Sequence, residues 1–292
     1  MTSRRAPALA VLIVLMIVWG SMFVVTKTAV REIPPLTLAA LRFFIAAIVL
    51  VPLALLRGSL PKPIPWAPLT LMGLTGIALF TVAFNYALIY GSAMQGALIY
   101  ALVPAAVSVA AVGFLKESLP RHRILGIALS FIGVAIVVLA GEPDRGSPRP
   151  LLGALCMLGV VVAWAAYTVV AKRLSDADPM IVIAFATILG MLMLLPFAAL
   201  ELSRAPWPHP SLRARLAILF LGIVASGIAF VAYGWVLRVL DASIVGVYTN
   251  LDPIVGVITA VVFLGEPVHA GQMLGGAIAI IGMALATWER SS

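Results

Sequence analysis

Apolar residues run along this chain in stretches of about twenty, separated by short clusters of Pro, Gly, Lys and Arg. Runs of that length predict spans at 8–27, 36–56, 67–89, 97–115 and 122–140 in the first half, and at 151–171, 180–200, 213–236, 244–264 and 270–288 in the second. At 1.5 Å per residue, such a run crosses a hydrocarbon layer of about 30 Å as an α-helix. The period-two alternation of membrane β-strands is absent. The expected fold is an all-α integral membrane bundle of ten transmembrane helices.

A second pattern lies over the first. Trp19 and Lys27 recur 145 positions later as Trp164 and Lys172, and Gly73, Ala93, Pro104, Glu117, Gly126 and Gly133 recur 149 positions later as Gly222, Ala242, Pro253, Glu266, Gly275 and Gly282. The chain is expected to be one unit copied, with a first five-helix repeat over 1–141, a linker over 142–150 and a second repeat over 151–292. Five spans per repeat is an odd number, so the second copy starts on the opposite side of the membrane and runs inverted. The linker contains EPDRGSPRP, a Pro, Gly and charge cluster with no apolar face.

Composition agrees. A mean hydropathy of +1.16, with 63% hydrophobic and 10% charged residues, leaves too few polar groups to cover a soluble globule. The first apolar run follows Arg4 and Arg5 but continues through Trp19 to Val25, which favours a span over a cleaved leader. With the N-terminus inside, eleven Lys and Arg fall in cytoplasmic segments against seven outside, so both termini are expected in the cytoplasm. The net charge of +8 is then topology rather than a nucleic-acid surface, since no basic run is interleaved with aromatics. The single cysteine, Cys156, allows no disulfide framework.

Pro104 and Pro253 each fall inside a predicted span, at matching places in the two halves. They are expected to break those helices as hinges beside a central cavity, because interrupted helices mark transporter sites. Asp252, next to Pro253, is the most deeply placed carboxylate. Three roles compete for it: a protonatable coupling group, a contact for a substrate ammonium, and a structural ion pair or cap, with Arg42 as a partner that the topology puts nearer the outer face. Lys27 and Lys172 close their spans and are read as snorkelling anchors. Glu117 and Glu266 fall at span ends and are read as helix caps. Gly126, Gly133, Gly271, Gly275, Gly276 and Gly282 suit close helix packing within the bundle, or a dimer face.

All six tyrosines lie in predicted spans, and Trp19, Trp164 and Trp235 lie deeper than Trp66, Trp207 and Trp288, which fit an interfacial belt. Polar tips need partners that lipid does not supply, so the deep ones are expected to face protein or water. Trp19, Asn85, Tyr86, Tyr100, Trp164, Tyr248 and Asp252 are the expected substrate-cavity residues, forming an aromatic, sparsely polar wall for small amphipathic solutes. Signatures of diphosphate, acyl-transfer, zinc-peptidase and serine-hydrolase enzymes are missing. No metal or cofactor is expected, and no repeated filter signature suggests a channel.

With Trp19-Gly20-Ser21, Ala40-Leu41-Arg42-Phe43, Ser92 through Pro104 to Glu117, Trp164-Ala165-Ala166-Tyr167, Lys172-Arg173-Leu174, Asp252-Pro253 and Leu264-Gly265-Glu266 in this order, nearly the whole chain resembles the drug/metabolite transporter superfamily. Within it the chain is most similar to ten-span exporters with two EamA-type domains, and among those to YddG-type amino-acid exporters. The resemblance implies alternating-access export of small metabolites, most often aromatic or other neutral amino acids, across a bacterial inner membrane. The alternative is a proton-coupled multidrug exporter of lipophilic cations, and after it an ion channel. Lys116, where the family usually has Gly, and Asp252, where Glu is common, depart from the pattern.

Overall fold

The computed structural model describes residues 5–58, 64–115, 121–140, 147–174, 176–204, 208–240, 245 and 248–287. Among the described residues every regular element is helical: α1 (Arg5–Ala29), α2 (Pro35–Leu55), α3 (Trp66–Tyr90), α4 (Ala93–Tyr100), α5 (Val103–Leu115), α6 (Arg121–Leu139), α7 (Pro150–Lys172), α8 (Pro179–Arg204), α9 (Leu212–Val239), α10 (Leu251–Leu264) and α11 (Ala270–Thr287). Eight helical stretches are long and apolar enough to cross a membrane, with Ala93–Phe114 counted as one, and Leu251–Leu264 and Ala270–Ala286 are shorter apolar helices. This is a ten-helix membrane protein. Residues 142–146 of the linker, Lys116, Glu117, Trp207, Ala242, Ser243 and Trp288 lie outside the described residues.

Helices of one half pack on helices of the other: α1 on α10, α2 on α8, α3 on α7 and α6 on α11. Small residues set the closeness of the last pair. A Cβ on Gly275 would lie 2.7 Å from the Gly133 carbonyl oxygen, and one on Gly282 2.7 Å from that of Gly126. With no hydrophobic drive between helices in lipid, such backbone approach gives dispersion its grip. Gly271 lies against the Ala140 side chain and Gly276 against that of Leu98, so all six glycines pack inside this bundle. The recurring pair Gly73 and Gly222 also has matching roles: Gly73 lies against Gly190 and Ala186 of α8, and Gly222 against Ile45 and Arg42 of α2.

One end of the bundle is tied by carboxylates, each received by a helix start. Glu201, near the end of α8, accepts from Thr37 N at 2.7 Å and Leu36 N at 3.3 Å in the first turn of α2. Glu32 accepts from Ser211 N at 2.7 Å and Ser211 Oγ at 2.8 Å, just before α9. Those bonds, the backbone one foremost, with Arg213 nearby, hold the Glu32 carboxyl below the usual carboxylate range. Glu266 accepts from Ala93 N and Met94 N, both at 2.8 Å, at the start of α4. The first N–H groups of a helix have no acceptor within it, and a carboxylate there also meets the positive end of the dipole.

Lys27 completes the last of these clamps. Its Nζ lies 3.0 Å from Glu266 Oε1 and donates to the Gly91 carbonyl at 2.8 Å. With 3% exposure, Lys27 does not snorkel as expected but closes an ion pair across the two halves. Breaking a buried pair from one side leaves a charge without its counterion, at about 3–5 kcal/mol. Glu266→Gln is therefore expected to lower the unfolding midpoint in detergent strongly, and the double variant with Lys27→Met to lose clearly less than the two single losses combined. Additive losses in thermal melts would remove the coupling.

Candidate substrate cavity

Two breaks in the helices build the site. Ser92 caps α4, its Oγ accepting from Gln95 N at 2.9 Å, and α4 then ends at Tyr100. Ala101 and Leu102 turn, and α5 starts with Pro104 in its first turn, where the missing N–H has no acceptor to lose. In the other half Thr249 and Asn250 turn, and α10 begins with Asp252 and Pro253 in its first turn. The sequence suggested that each proline breaks its span, and the structure puts each in the first turn of a helix.

Between the breaks lies a cavity of about 500 Å³. From α7 come Trp164, Tyr167, Thr168 and Ala171, and from α9 Phe230, Tyr233, Gly234 and Leu237, each set following the i, i+3, i+4, i+7 face of a helix. Tyr100, Val103, Pro104 and Val107 line it from α4 and α5, Val182 and Ile183 from α8, and Trp19, Thr249, Asp252 and Pro253 also face it. The aromatic rings support one another. Trp164 stacks on Tyr167 at 5.0 Å and meets Phe80 at 5.3 Å, while Trp19 meets Tyr233 edge-on at 5.1 Å. Toward the other end of the bundle from the carboxylate clamps, the cavity reaches the exposed Pro179 and Leu237, with Val245 beside Ala8 of α1 in a shared apolar cluster.

The sequence did not predict that α3 and α9 each carry a π-helical segment, Gly73–Leu79 and Phe220–Ile228. The 149-residue offset carries 73–79 onto 222–228. Wider turns change which backbone carbonyls are taken within the helix, and such segments are frequent at functional sites. Here Ala225 O, within the second segment, accepts from the Trp19 indole Nε1 at 3.1 Å and fixes that ring on the wall. In the first segment Gly76 gives its missing side-chain space to the ring of Tyr167.

A smaller pocket of about 50 Å³ adjoins the cavity, sharing Trp19, Tyr100, Trp164, Phe230 and Asp252 with it. Its own lining includes Arg42. Arg42 is 4% exposed, with Nε donating to Ser226 Oγ at 2.8 Å and the guanidinium 5.2 Å from the Phe43 ring centre. Arg42 and Asp252 share the pocket without forming a direct ion pair.

Of the residues singled out from sequence, Trp19, Tyr100, Pro104, Trp164, Asp252 and Pro253 line the cavity. Asn85, Tyr86 and Tyr248 do not. Asn85 Nδ2 donates to the Pro35 carbonyl at 2.8 Å and ties α3 to the start of α2. Tyr86 stacks on Tyr90 at 6.0 Å along its own helix, and Tyr248 packs with the Leu12 and Met16 cluster. Trp235, expected to face protein or water, is 38% exposed on the bundle surface. Tyr167, Phe230, Tyr233 and Arg42 were missed as wall residues, although Phe230, Tyr233 and Leu237 already mark one helical face in the sequence.

Residues 6–139 and 151–288 each match the EamA-like transporter family. The chain belongs to that family. A relative from Archaeoglobus fulgidus, an uncharacterized transporter, is 31% identical over 93% of this chain and 94% of its own. A probable amino-acid metabolite efflux pump of Salmonella typhimurium is 30% identical over 96% of this chain and 94% of its own. An uncharacterized inner membrane transporter of Escherichia coli, YedA, is 28% identical over 96% and 90%. A crystal structure covering 97% of this chain and 96% of its own shares the fold, with a TM-score of 0.65 at 22% identity. The chain is thus an EamA-type membrane transporter of the drug/metabolite superfamily, and not an enzyme.

Gly76→Ala tests the wall directly. The added methyl lands on the Tyr167 ring, and overpacking of this kind costs about 1–3 kcal/mol. The unfolding midpoint in detergent is expected to fall, and Tyr167→Ala in the same chain to remove most of the penalty of the added methyl. A Gly76→Ala penalty of equal size with and without the Tyr167 ring would place the ring elsewhere.

Proposed function

We propose that this transporter exports neutral amino acids, preferentially aromatic and branched ones, from the bacterial cytoplasm by alternating access. The observation that carries the reading is the cavity of about 500 Å³, walled by paired aromatic rings and bearing one carboxylate, Asp252. Its volume is in the range of small-molecule sites. Strongly anionic substrates such as sugar phosphates would need several cations in the wall, and among the described lining residues Arg42 in the adjoining pocket is the single one. The Salmonella relative's name supports the same substrate class.

The Lys and Arg distribution supports both termini in the cytoplasm and, with the naming of YedA, the inner membrane. Two halves in inverted orientation account for the paired helix breaks and the paired π-helical segments. The clamped end is then external and the cavity faces the cytoplasm, the state that loads cargo for export. Rocking of the halves, with the breaks at Pro104 and Pro253 as hinges, would carry the site to the other side.

Proteoliposome counterflow tests the substrate class. Preloaded with phenylalanine or leucine, vesicles are expected to accumulate the labelled amino acid saturably. Accumulation of lipophilic cations alone would replace this reading with a multidrug exporter, which a carboxylate among aromatic rings also suits; unsaturable ion currents would mean a channel. Membrane-impermeant labelling of single cysteines introduced at the two ends, in a Cys156→Ser background, is expected to leave both protected in intact cells. Labelling of one end alone would overturn an even span number.

A further inference from the structure

The small pocket is lined by an arginine and an aspartate that do not pair with each other. Arg42 spends Nε on Ser226 Oγ, and its Nη2 reaches only the Met22 sulfur at 3.8 Å. Its Nη1 has no partner. Asp252, 7% exposed, leaves Oδ1 without a partner. Each charge lies on the wall of the same pocket of about 50 Å³. A buried charge without a counterion is costly, and inside a membrane protein such a group marks a functional site.

We infer that this pocket is a recognition site for the zwitterionic head of a free α-amino acid, Arg42 taking the carboxylate and Asp252 the ammonium. This rests on the amino-acid reading above and deepens it. The guanidinium presents planar N–H donors whose geometry matches a carboxylate, and Ser226 fixes the plane from one side. Asp252 offers acceptor oxygens only, which suits an ammonium with three donors. The head alone fills the small pocket. The side chain then extends past Trp19, Trp164 and Phe230, which line both spaces, into the larger aromatic cavity. A solute lacking either head group leaves the opposite wall charge unpaired, and a site built around a polar group rejects the analogue that lacks it. Division of labour follows: the pocket demands both charges, and the cavity grades side chains by apolar bulk.

The test uses the intact transporter in proteoliposomes, with counterflow of labelled L-phenylalanine. L-phenylalaninamide keeps the ammonium and loses the carboxylate; N-acetyl-L-phenylalanine keeps the carboxylate and loses the ammonium. On the wild type each is expected to compete about tenfold or more weakly than phenylalanine itself. In Arg42→Gln the amide's disadvantage shrinks toward parity while that of the N-acetyl compound stays. In Asp252→Asn the reverse holds. Each comparison is a ratio within one protein, so a lower yield of folded variant does not move it. Should either variant fail to fold, the wild-type ranking decides alone. Equal competition by the blocked compounds on the wild type, or parallel shifts of both ratios in each variant, overturns the pocket while leaving amino-acid export intact. No phenylalanine counterflow in the wild type overturns the export reading, and the pocket with it.

Discussion

Hydrocarbon offers no hydrogen bonds, so a membrane-spanning chain can be interrupted only where its own side chains receive the freed backbone groups. The whole arrangement depends on how that constraint is met at the start of α4. There the exposed N–H groups of Ala93 and Met94 are taken by Glu266, whose charge is balanced by Lys27. Residues from distant parts of the chain thus hold the start of this span, and the break at Ala101 and Leu102 follows within the same span. The same contacts tie the two halves of the chain together at that end of the bundle.

Much of the architecture could be read from sequence because lipid imposes a length on every crossing. The ends of α1, α2, α3 and α6 fall within a few residues of the runs counted there. The duplicated Trp19 and Trp164 pointed to the cavity because a polar indole in an apolar run requires a partner. The stripe of Phe230, Tyr233 and Leu237 was harder to see. In a soluble helix an apolar face stands out against polar neighbours; in a span both faces are apolar, and periodicity no longer separates cavity from lipid. Asn85 was overvalued for a related reason, since its amide is consumed by the Pro35 carbonyl, a contact between helices that spacing along one helix does not reveal.

Arg42 shows the limit of judging burial by counting along a helix. It lies only two turns into α2, yet Ser226 in the π-helical segment of α9 draws it into the interior. Burial there is set by a neighbour from the other half, and no local pattern records it. Lys27 is a second case: a long cationic stem at a span end is free to reach water, but the nearby carboxylate of Glu266 makes the interior the better place.

The wide segment in α9 also sets a rotational phase. A π turn accommodates an additional residue relative to the α-helical ladder, and one residue corresponds to about 100° around the axis. The cavity-lining face downstream in that helix, Phe230, Tyr233 and Leu237, takes its direction from that residue. Excising one position from Phe220–Ile228 to restore a regular helix would swing those side chains toward the lipid without changing their chemistry, so chain length in this short stretch is as much a determinant of the cavity wall as residue identity.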